Sequence, residues 1–387
     1  MSRGRVDNQV AVVGAGVVGA ATALELARRG ASVALLEAEP EPGLQASGTN
    51  SGILHTGFDS APGELETELI LRAAELREPV LDALDVPLLR CGALMRPLGA
   101  GDEDGIRRLA QNARRNGVEA TLGEDGSLVV PGEAVTDPVA LTLGLVASAE
   151  RHGVEIRTGF RVAVVARRGR DGLTLESDGG ERVGCRVAVN CAGLHADEVA
   201  RLAGDLSFEV YPRKGEFLVL DPDAPLEHML LPVPTRRTKG VLVFPTVDGK
   251  VVAGPTAIDQ EDKSDWSVRA EARDEILPKA AAMWPPLERA ELVGEYAGLR
   301  PAGRGTGYVI GPSAACSGLV NVAAIRSTGL TASAAIAERV GEIVAQRGIA
   351  VGERAPLEPG LIGPLPGPWW RRAAEHRVGA AAEDGTS

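Results

Sequence analysis

The feature that most restricts the fold of this chain is a glycine-rich turn, GAGVVG at residues 14–19. It follows the short apolar run Gln9–Val13 and precedes a stretch whose apolar residues repeat at helical spacing. Gly14 permits a sharp bend, Gly16 lets the backbone approach a pyrophosphate, and Gly19 lets the helix pack closely against the strand. The pattern therefore predicts a strand–turn–helix unit whose helix N-terminus binds the phosphates of a dinucleotide.

An acidic residue ends the second predicted strand of this unit. The apolar run Ala31–Leu36 is followed by Glu37, at about the distance of 20 residues from the turn at which a carboxylate binds a ribose. A negative charge at this position disfavours the 2′-phosphate of NADP. NAD and FAD bind to the same fingerprint, so these residues predict a dinucleotide without choosing between the two.

The alternation of predicted helices and strands indicates the fold class. Glycine-punctuated βα units flank a strand-rich run from about Phe208 to Gly254, which predicts an α/β fold: a Rossmann-type dinucleotide-binding domain with an inserted antiparallel-sheet substrate domain. The predicted ranges are 8–85, 140–205 and 300–348 for the first domain, 86–139 and 206–299 for the second, and 349–387 for a C-terminal tail. The predicted strands of the inserted run are Phe208–Pro212, Glu216–Leu220, Val241–Phe244 and Lys250–Ala253. The predicted helices include Glu64–Leu84, Asp102–Asn116, Asp137–His152, Asp262–Met283 and Thr331–Gln346.

Composition excludes several classes of function. The 387 residues carry a formal net charge of -12, and an acidic chain repels phosphate backbones, so we expect no nucleic-acid partner. The first strand begins close to the start of the chain, and the apolar runs are much shorter than a membrane span of about 20 residues. We therefore expect a cytoplasmic protein. None of the four cysteines forms a CxxC pair, so we expect no metal site.

A polar, glycine-containing segment after the second strand carries the most informative residues. It reads SGTNSGILHTG from Ser47 to Gly57. This segment resembles the SGxNSGxxHxG loop of type 2 glycerol-3-phosphate oxidases, of the catalytic subunits of anaerobic glycerol-3-phosphate dehydrogenases and of L-2-hydroxyglutarate oxidases. These enzymes belong to the D-amino-acid-oxidase-like superfamily of FAD-dependent oxidoreductases. The resemblance extends to about Gln346 through the motifs NCAG (190–193), PRKGE (212–216), KGVLV (239–243), GPTA (254–257), LRPA (299–302) and STGLT (327–331).

The resemblance implies a cofactor, a reaction and a class of substrate. It implies that FAD is the cofactor and that a small, anionic secondary alcohol is oxidised by hydride transfer to flavin N5. Glycerol 3-phosphate, giving dihydroxyacetone phosphate, is the leading substrate, L-2-hydroxyglutarate is the alternative, and oxygen or a quinone would reoxidise the flavin. The residues predicted to bind FAD are Gly14, Gly16, Gly19, Glu37, Ser47, Asn50, Ser51, Gly52, Ala192, Gly193, Gly329, Leu330 and Thr331.

The resemblance also implies the catalytic residues. The catalytic histidine of the family falls on His55, and a neutral imidazole near pH 7 suits removal of the hydroxyl proton as hydride leaves the carbon. Arg300 and Lys239 match the family's cationic contacts with the substrate anion, and the fork of Arg300 could bind a phosphate or carboxylate bidentately. Ser327 matches a family serine near the substrate and is predicted to bind it.

Some residues depart from the family pattern or have ambiguous roles. Arg326 and Thr328 occupy positions where family members often have an acidic residue and a proline, and the added cation could change the preferred substrate charge. The pairs Arg213–Lys214 and Arg236–Arg237 could line the substrate cavity, but charges at strand ends are more often solvated. The cluster Trp369–Arg372 could touch a membrane surface peripherally, although an exposed or docking tail is the simpler interpretation.

Two other functions are compatible with the sequence. An amine oxidase of the same superfamily, acting on glycine or sarcosine-like substrates, would not need the NSGxxHxG loop. A flavin- or nucleotide-binding protein without catalysis, such as a sensor, would keep the glycine turn and lack turnover.

Overall fold

The core of the nucleotide-binding region is a six-stranded sheet. The structure, a computed structural model, describes residues 8–169, 172–235, 239–363, 365–372 and 375. Five neighbouring strands of this sheet are parallel, and the sixth, at one edge, is antiparallel. From that edge the order is Val309–Pro312, Leu319–Ala323, Val187–Asn190, Val10–Val13, Val33–Leu36 and Glu155–Arg157.

Seven α-helices have both of their ends among the described residues. In chain order they are α1 (Val17–Arg28), α2 (Leu65–Ala83), α3 (Asp102–Arg115), α4 (Pro138–Arg151), α5 (Ala196–Leu202), α6 (Ala272–Met283) and α7 (Gly329–Gln346). Helix α1 packs between α4 and α7, and its small buried residues allow this close approach. Helix α4 begins where the Asp137 carboxylate accepts hydrogen bonds from Val139 N and Ala140 N, an N-cap that is followed by Pro138 at the first helical position.

A second, nine-stranded sheet, largely antiparallel, forms the other half of the molecule. Its longest strands, Val210–Asp221 and Glu291–Gly303, pair along almost their whole length. The remaining strands are Ala93–Met95, Thr121–Leu122, Leu128–Val130, Met229–Leu230, Leu242–Pro245, Val251–Gly254 and Ile258–Asp259. The predicted α/β fold class is confirmed. The predicted boundary between residues 299 and 300 falls inside the strand Glu291–Gly303, and the other boundaries stay predictions.

Two smaller sheets have three strands each. One consists of Val162–Arg168, Gly172–Ser177 and Arg182–Cys185, all antiparallel. The other joins Ile53–Leu54, Ala134–Thr136 and Leu88–Leu89. Two short 3-10 helices lie at Gly193–His195 and Pro285–Glu288, and residues 369–372 of the tail are also helical.

The predicted break between Phe208–Pro212 and Glu216–Leu220 is wrong, because one continuous strand, Val210–Asp221, runs from the first segment through the second. Lys214, expected at a solvated strand end, is buried. Its ammonium donates to Asp265 Oδ2 at 2.7 Å and to Ser267 O at 2.9 Å. With its charge paired, Lys214 fits inside the sheet and does not interrupt the strand. Arg236 and Arg237 lie outside the described residues.

The predicted helix Asp262–Met283 is too long at its N-terminal end. The helix begins only at Ala272. The preceding residues form side-chain turns in which Asp262 accepts from Ser264 N at 2.7 Å and Asp265 accepts from Ser267 N at 3.0 Å. Aspartate side chains that bond the backbone in this way favour turns over helix, which explains the later start.

The C-terminal tail docks onto the protein. Trp369 and Trp370 are 2% and 4% exposed, and Trp370 Nε1 donates to Asp248 Oδ2 at 3.3 Å. Arg372 forms an ion pair with Glu41, in the loop after the second strand of the six-stranded sheet. The indole rings are therefore packed within the molecule, as the docking interpretation predicts, and a membrane surface cannot reach them in this arrangement.

Candidate active site

The predicted site residues converge on one large cavity. Its volume is about 930 Å³, within the usual range of about 300–1,000 Å³ for ligand pockets. The predicted residues that line it are Gly14, Gly16, Glu37, Ser47, Asn50, Ser51, His55, Ala192, Gly193, Lys239, Arg300, Ser327, Gly329 and Leu330. Three other residues that were predicted to bind the cofactor lie behind this lining: Gly19, Gly52 and Thr331.

The glycine turn lines the cavity with Gly14 and Gly16. Gly14 has a φ of 99°, and a Cβ atom there would lie 2.5 Å from the carbonyl oxygen of Cys191. A Cβ atom on Gly19 would lie 1.8 Å from the carbonyl oxygen of Gly14, so Gly19 allows α1 to pack against its own turn. Ser47 Oγ accepts from Val17 N at 2.9 Å, which joins the polar loop to the start of α1.

Glu37 lies beside this turn at the cavity wall. Its carboxylate accepts from Ala15 N at 2.6 Å and from Glu39 N at 2.9 Å. Burial raises the pKa of Glu37 although these amide hydrogen bonds oppose the shift. The geometry fixes the carboxylate next to the glycine turn, where the sequence pattern predicts contact with a ribose.

The small sheet that contains Ile53–Leu54 brings His55 against a buried glutamate. Leu54 pairs with Ala134 in antiparallel register, so the next residues outward, His55 and Glu133, lie opposite each other. His55 Nδ1 is 3.1 Å from Glu133 Oε2. The other carboxylate oxygen, Oε1, accepts from Thr56 N at 2.7 Å and from Thr56 Oγ1 at 2.8 Å.

The backbone of His55 forms hydrogen bonds with two other elements. Its amide donates to Thr331 Oγ1 in the first turn of α7 at 3.0 Å, and its carbonyl accepts from Arg77 Nη1 of α2 at 2.8 Å. Thr331 also donates to the carbonyl of Ile53. The Thr331 hydroxyl therefore supports the His55 loop from behind the cavity wall.

Lys239 lines the cavity and forms an ion pair with a carboxylate. Its ammonium is 2.6 Å from Asp59 Oδ2, and Asp59 follows His55 by four residues. Burial raises the pKa of Asp59, but its ion pair with the ammonium of Lys239 outweighs burial and holds that pKa below its ordinary value. Burial lowers the pKa of Lys239, but Asp59 more than reverses this and the pKa is raised. Both groups are therefore charged at neutral pH.

Arg300 lies in the cavity wall on the strand Glu291–Gly303, directly across from Arg213. Its Nε donates to Arg213 O at 2.9 Å, and its Nη2 donates to Lys214 O at 3.0 Å and to Thr256 O at 3.1 Å. These contacts use the hydrogens of Nε and Nη2. Neither pair of neighbouring guanidinium nitrogens is then free to bind a phosphate or carboxylate in the bidentate way that the sequence predicted. Nη1 is left, with no hydrogen-bond partner among the described residues. Burial lowers the pKa of Arg300 to about 10, so it is still a cation at pH 7.

The two departures from the family pattern form a network at the cavity rim. Arg326 forms an ion pair with Glu66 at the start of α2. Thr328 Oγ1 donates to the same carboxylate at 2.6 Å and also bonds the hydroxyl of Tyr308. The added cation is thus neutralised locally by Glu66.

Four residues of this site were missing from the sequence prediction: Asp59, Glu66, Arg77 and Glu133. Asp59 and Glu66 follow His55 closely in the chain, so a search for acidic residues near the SGxNSGxxHxG loop could have found them. Arg77 and Glu133 depend on tertiary contacts that no local pattern reveals.

Comparison with known proteins identifies the family. A model of the DAO family, described as FAD dependent oxidoreductase, matches residues 9–343. The chain belongs to the DAO family. Its cofactor is therefore FAD, and the protein is an FAD-dependent oxidoreductase.

The chain is similar to enzymes named for two different substrates. Glycerol 3-phosphate dehydrogenase of Caloramator mitchellensis is 29% identical over 353 residues, which cover 87% of this chain and 73% of the relative. Glycerol 3-phosphate oxidase of Mycoplasma pneumoniae is 28% identical, covering 84% of this chain and 92% of the relative. Mitochondrial L-2-hydroxyglutarate dehydrogenase of Nematostella vectensis is 27% identical over 64% of this chain, which spans 62% of that relative's length.

Solved structures of other proteins share the fold. L-alpha-glycerophosphate oxidase from Mycoplasma pneumoniae, reduced with dithionite and with FAD bound, superimposes with a TM-score of 0.84 at 24% identity. The match covers 93% of this chain and 99% of that structure. Glycine oxidase from Geobacillus kaustophilus gives a TM-score of 0.78 at 24% identity, covering 88% and 95%. At these identities the likeness concerns the fold alone.

The residues of the cavity fit the FAD of the DAO family. The helices α1 and α7 both begin at its wall, and within the described ranges neither N-cap residue caps its helix with a side chain. The first amide of each helix already has an acceptor, because Val17 N donates to Ser47 Oγ and Gly329 N donates to Arg326 O. The amides that follow them are suited to the negatively charged parts of a cofactor. Gly14, Gly16 and Glu37 would hold the nucleotide end, and Gly329 and Leu330 would hold the other end. Bound FAD supplies a hydride acceptor.

Across the described ranges, no three His, Cys, Asp or Glu side chains cluster closely enough to hold a metal ion. No helix in the described part of the chain combines the length and the apolar composition needed to cross a bilayer.

Proposed function

We propose that this protein oxidises a small, anionic secondary alcohol, with glycerol 3-phosphate as the leading substrate and dihydroxyacetone phosphate as the product. One observation carries the proposal: the imidazole of His55, the ammonium of Lys239 and the guanidinium of Arg300 line the same cavity as the glycine turn. A base and two cations beside a cofactor site are the groups that such a reaction requires. The glycerol 3-phosphate enzymes among the relatives support this substrate.

Each of the three side chains has a distinct role in the proposed reaction. His55 accepts the proton of the substrate hydroxyl as the C–H bond breaks with its electron pair and the C–O bond becomes a carbonyl. Arg300 Nη1 donates to the anionic group of the substrate, and Lys239 adds a second positive charge. The acceptor that restores the oxidised enzyme is oxygen or a quinone.

L-2-hydroxyglutarate is the second candidate, and the state of the cations favours it. Lys239 is already paired with Asp59 at 2.6 Å, and Arg300 has three donor contacts committed to backbone carbonyls. Glycerol 3-phosphate places two negative charges on one group, whereas L-2-hydroxyglutarate distributes its two charges over two carboxylates. A single carboxylate therefore needs less positive charge at this site than a phosphate dianion does. The L-2-hydroxyglutarate dehydrogenases among the relatives provide independent support.

Anaerobic flavin reduction tests the proposal. The FAD-loaded protein is mixed with glycerol 3-phosphate, L-2-hydroxyglutarate, glycerol, glycine or sarcosine, and the visible absorbance of the flavin is followed. We expect bleaching by one of the two anionic alcohols, and a reduction rate about 100- to 10,000-fold lower in His55→Ala, the usual contribution of a general base. The matched control is His195→Ala, a histidine that lines the same cavity.

Three results would argue against this function. Reduction by glycine or sarcosine that survives His55→Ala would indicate an amine oxidase. Bleaching by none of the compounds would favour a flavin-binding protein without this catalysis. An equal loss of rate in His55→Ala and His195→Ala would remove the special role of His55.

A further inference from the structure

A wholly buried carboxylate lies behind the proposed base. Glu133 is 0% exposed, and it lies outside the cavity lining, so it cannot contact a substrate. Burial raises its pKa, but the contacts with His55 and Thr56 outweigh burial and place the pKa below its ordinary value. Glu133 is therefore an anion at neutral pH, and an ionised buried side chain needs partners that compensate its charge.

The contacts of Glu133 leave little freedom for its carboxylate. Oε1 accepts two hydrogen bonds from Thr56, one from the amide and one from the hydroxyl. Oε2 faces His55 Nδ1 at 3.1 Å. Because an ionised carboxylate can only accept hydrogen bonds, the hydrogen of a neutral His55 must be on Nδ1. The lone pair is then on Nε2, the other nitrogen of the ring.

We propose that Glu133 is a positioning residue that fixes the tautomer of His55, so that Nε2 carries the lone pair that accepts the substrate proton. The inference rests on the proposed function and assigns to Glu133 a role in that same reaction. The same carboxylate compensates the positive charge that His55 acquires when it takes the proton. A comparable buried carboxylate orients the histidine of serine-protease triads, where replacement by the amide costs about 10,000-fold in kcat.

Glu133→Gln tests the inference with almost no change of shape. The two donors of Thr56 keep the amide oxygen on their side, so the amide nitrogen faces His55 Nδ1 and donates to it. The hydrogen of the ring must then move to Nε2, which loses its lone pair. We expect flavin reduction to slow by about 100- to 10,000-fold, with FAD content and melting temperature close to those of the wild type.

The matched control is a second histidine–glutamate pair on the same cavity. His195 Nδ1 is 2.9 Å from Glu198 Oε2, and both residues line the cavity. Glu198→Gln makes the same chemical change beside His195 and also removes the ion pair of Glu198 with Lys263 at 2.8 Å. Because neither contact belongs to the proposed reaction, we expect its reduction rate to stay within about threefold of the wild type. Glu133→Asp retains a carboxylate and should recover part of the rate that Glu133→Gln loses.

A spectroscopic measurement tests the tautomer without turnover. Nitrogen-15 NMR of the histidine-labelled, FAD-loaded protein distinguishes Nδ1–H from Nε2–H rings, and the signals of His55 are assigned by their loss in His55→Ala. We expect the Nδ1–H form in the wild type and the Nε2–H form in Glu133→Gln. An Nε2–H ring in the wild type would overturn the inference even if Glu133→Gln did not fold.

The outcomes separate this inference from the proposed function. A large loss of rate in His55→Ala together with a wild-type rate in Glu133→Gln would refute the role of Glu133 and retain the base. Wild-type rates in both variants would refute the role of His55 as the base. A slow Glu133→Gln whose His55 keeps the Nδ1–H form would show that the tautomer is not the cause, and would also overturn the inference.

Discussion

Replacing Arg300 with methionine should measure how much of its guanidinium is available to a substrate. Methionine retains much of the length of the side chain and removes the charge and every donor. The carbonyls of Arg213, Lys214 and Thr256 lose their contacts with Arg300 at the same time. The variant should therefore be somewhat less stable, and its folding must be checked by melting before its kinetics are interpreted.

The expected loss of kcat/KM follows from Nη1, the one guanidinium nitrogen of Arg300 without a hydrogen-bond partner among the described residues. A hydrogen bond between charged groups is worth about 1.5–3 kcal/mol, and each 1.36 kcal/mol is about tenfold. Loss of the Nη1 contact should lower kcat/KM for an anionic alcohol by about 10- to 150-fold. A bidentate clamp would lose about twice that free energy, which would exceed 1,000-fold over most of the range.

The assay compares an anionic with an uncharged alcohol. The second-order rate constant of flavin reduction is measured anaerobically with the substrate found in the screen and with glycerol, and we expect Arg300→Met to lower only the former. Arg213→Met is the control, because that side chain is paired with Asp259 at 3.0 Å. Equal losses for both alcohols would show that Arg300 acts on the fold, and a loss beyond 1,000-fold for the anion alone would show that two donors are engaged.

Three further predictions concern the cofactor, the tail and pH. Gly19→Ala should abolish FAD retention, measured as flavin absorbance per protein, because the added methyl overlaps a backbone oxygen at 1.8 Å. Trp370→Ala should cost about 3–5 kcal/mol in urea unfolding, whereas Leu361→Ala, at a side chain that is 99% exposed, should cost nothing measurable. Asp59 has a lowered pKa, so its contribution to stability is present above its unfolded pKa of about 4 and is lost as the pH falls through the folded value. Asp59→Asn should therefore reduce the difference in unfolding free energy between pH 7 and pH 3, and an unchanged difference would contradict the pairing with Lys239.

Local motifs account for the parts of the fold and site that the sequence predicted. The glycine turn and Glu37 act through the conformation of a few adjacent residues, so their pattern can be recognised without tertiary information. His55 was found through the loop that contains it. The start of the helix after Asp137 could also be predicted from adjacent residues, because an aspartate N-cap followed by proline is a strong start signal.

Tertiary pairing decided the features that the sequence did not predict. The strand Glu291–Gly303 contains Gly294, Gly298 and Pro301, which are unfavourable for strands, and its extended conformation depends on its partner Val210–Asp221. Glu133 is separated from His55 by 78 residues, and a glutamate in a short turn has no signature of its own. Its role follows only once the two short strands are placed side by side.

The antiparallel register between Ile53–Leu54 and Ala134–Thr136 has a consequence for how this site can vary. Successive side chains of a strand alternate between its faces. Inserting or deleting one residue just before His55 would turn the imidazole to the opposite face, even with every catalytic side chain still present in the chain. In this part of the molecule, spacing along the backbone constrains the enzyme as strongly as residue identity does.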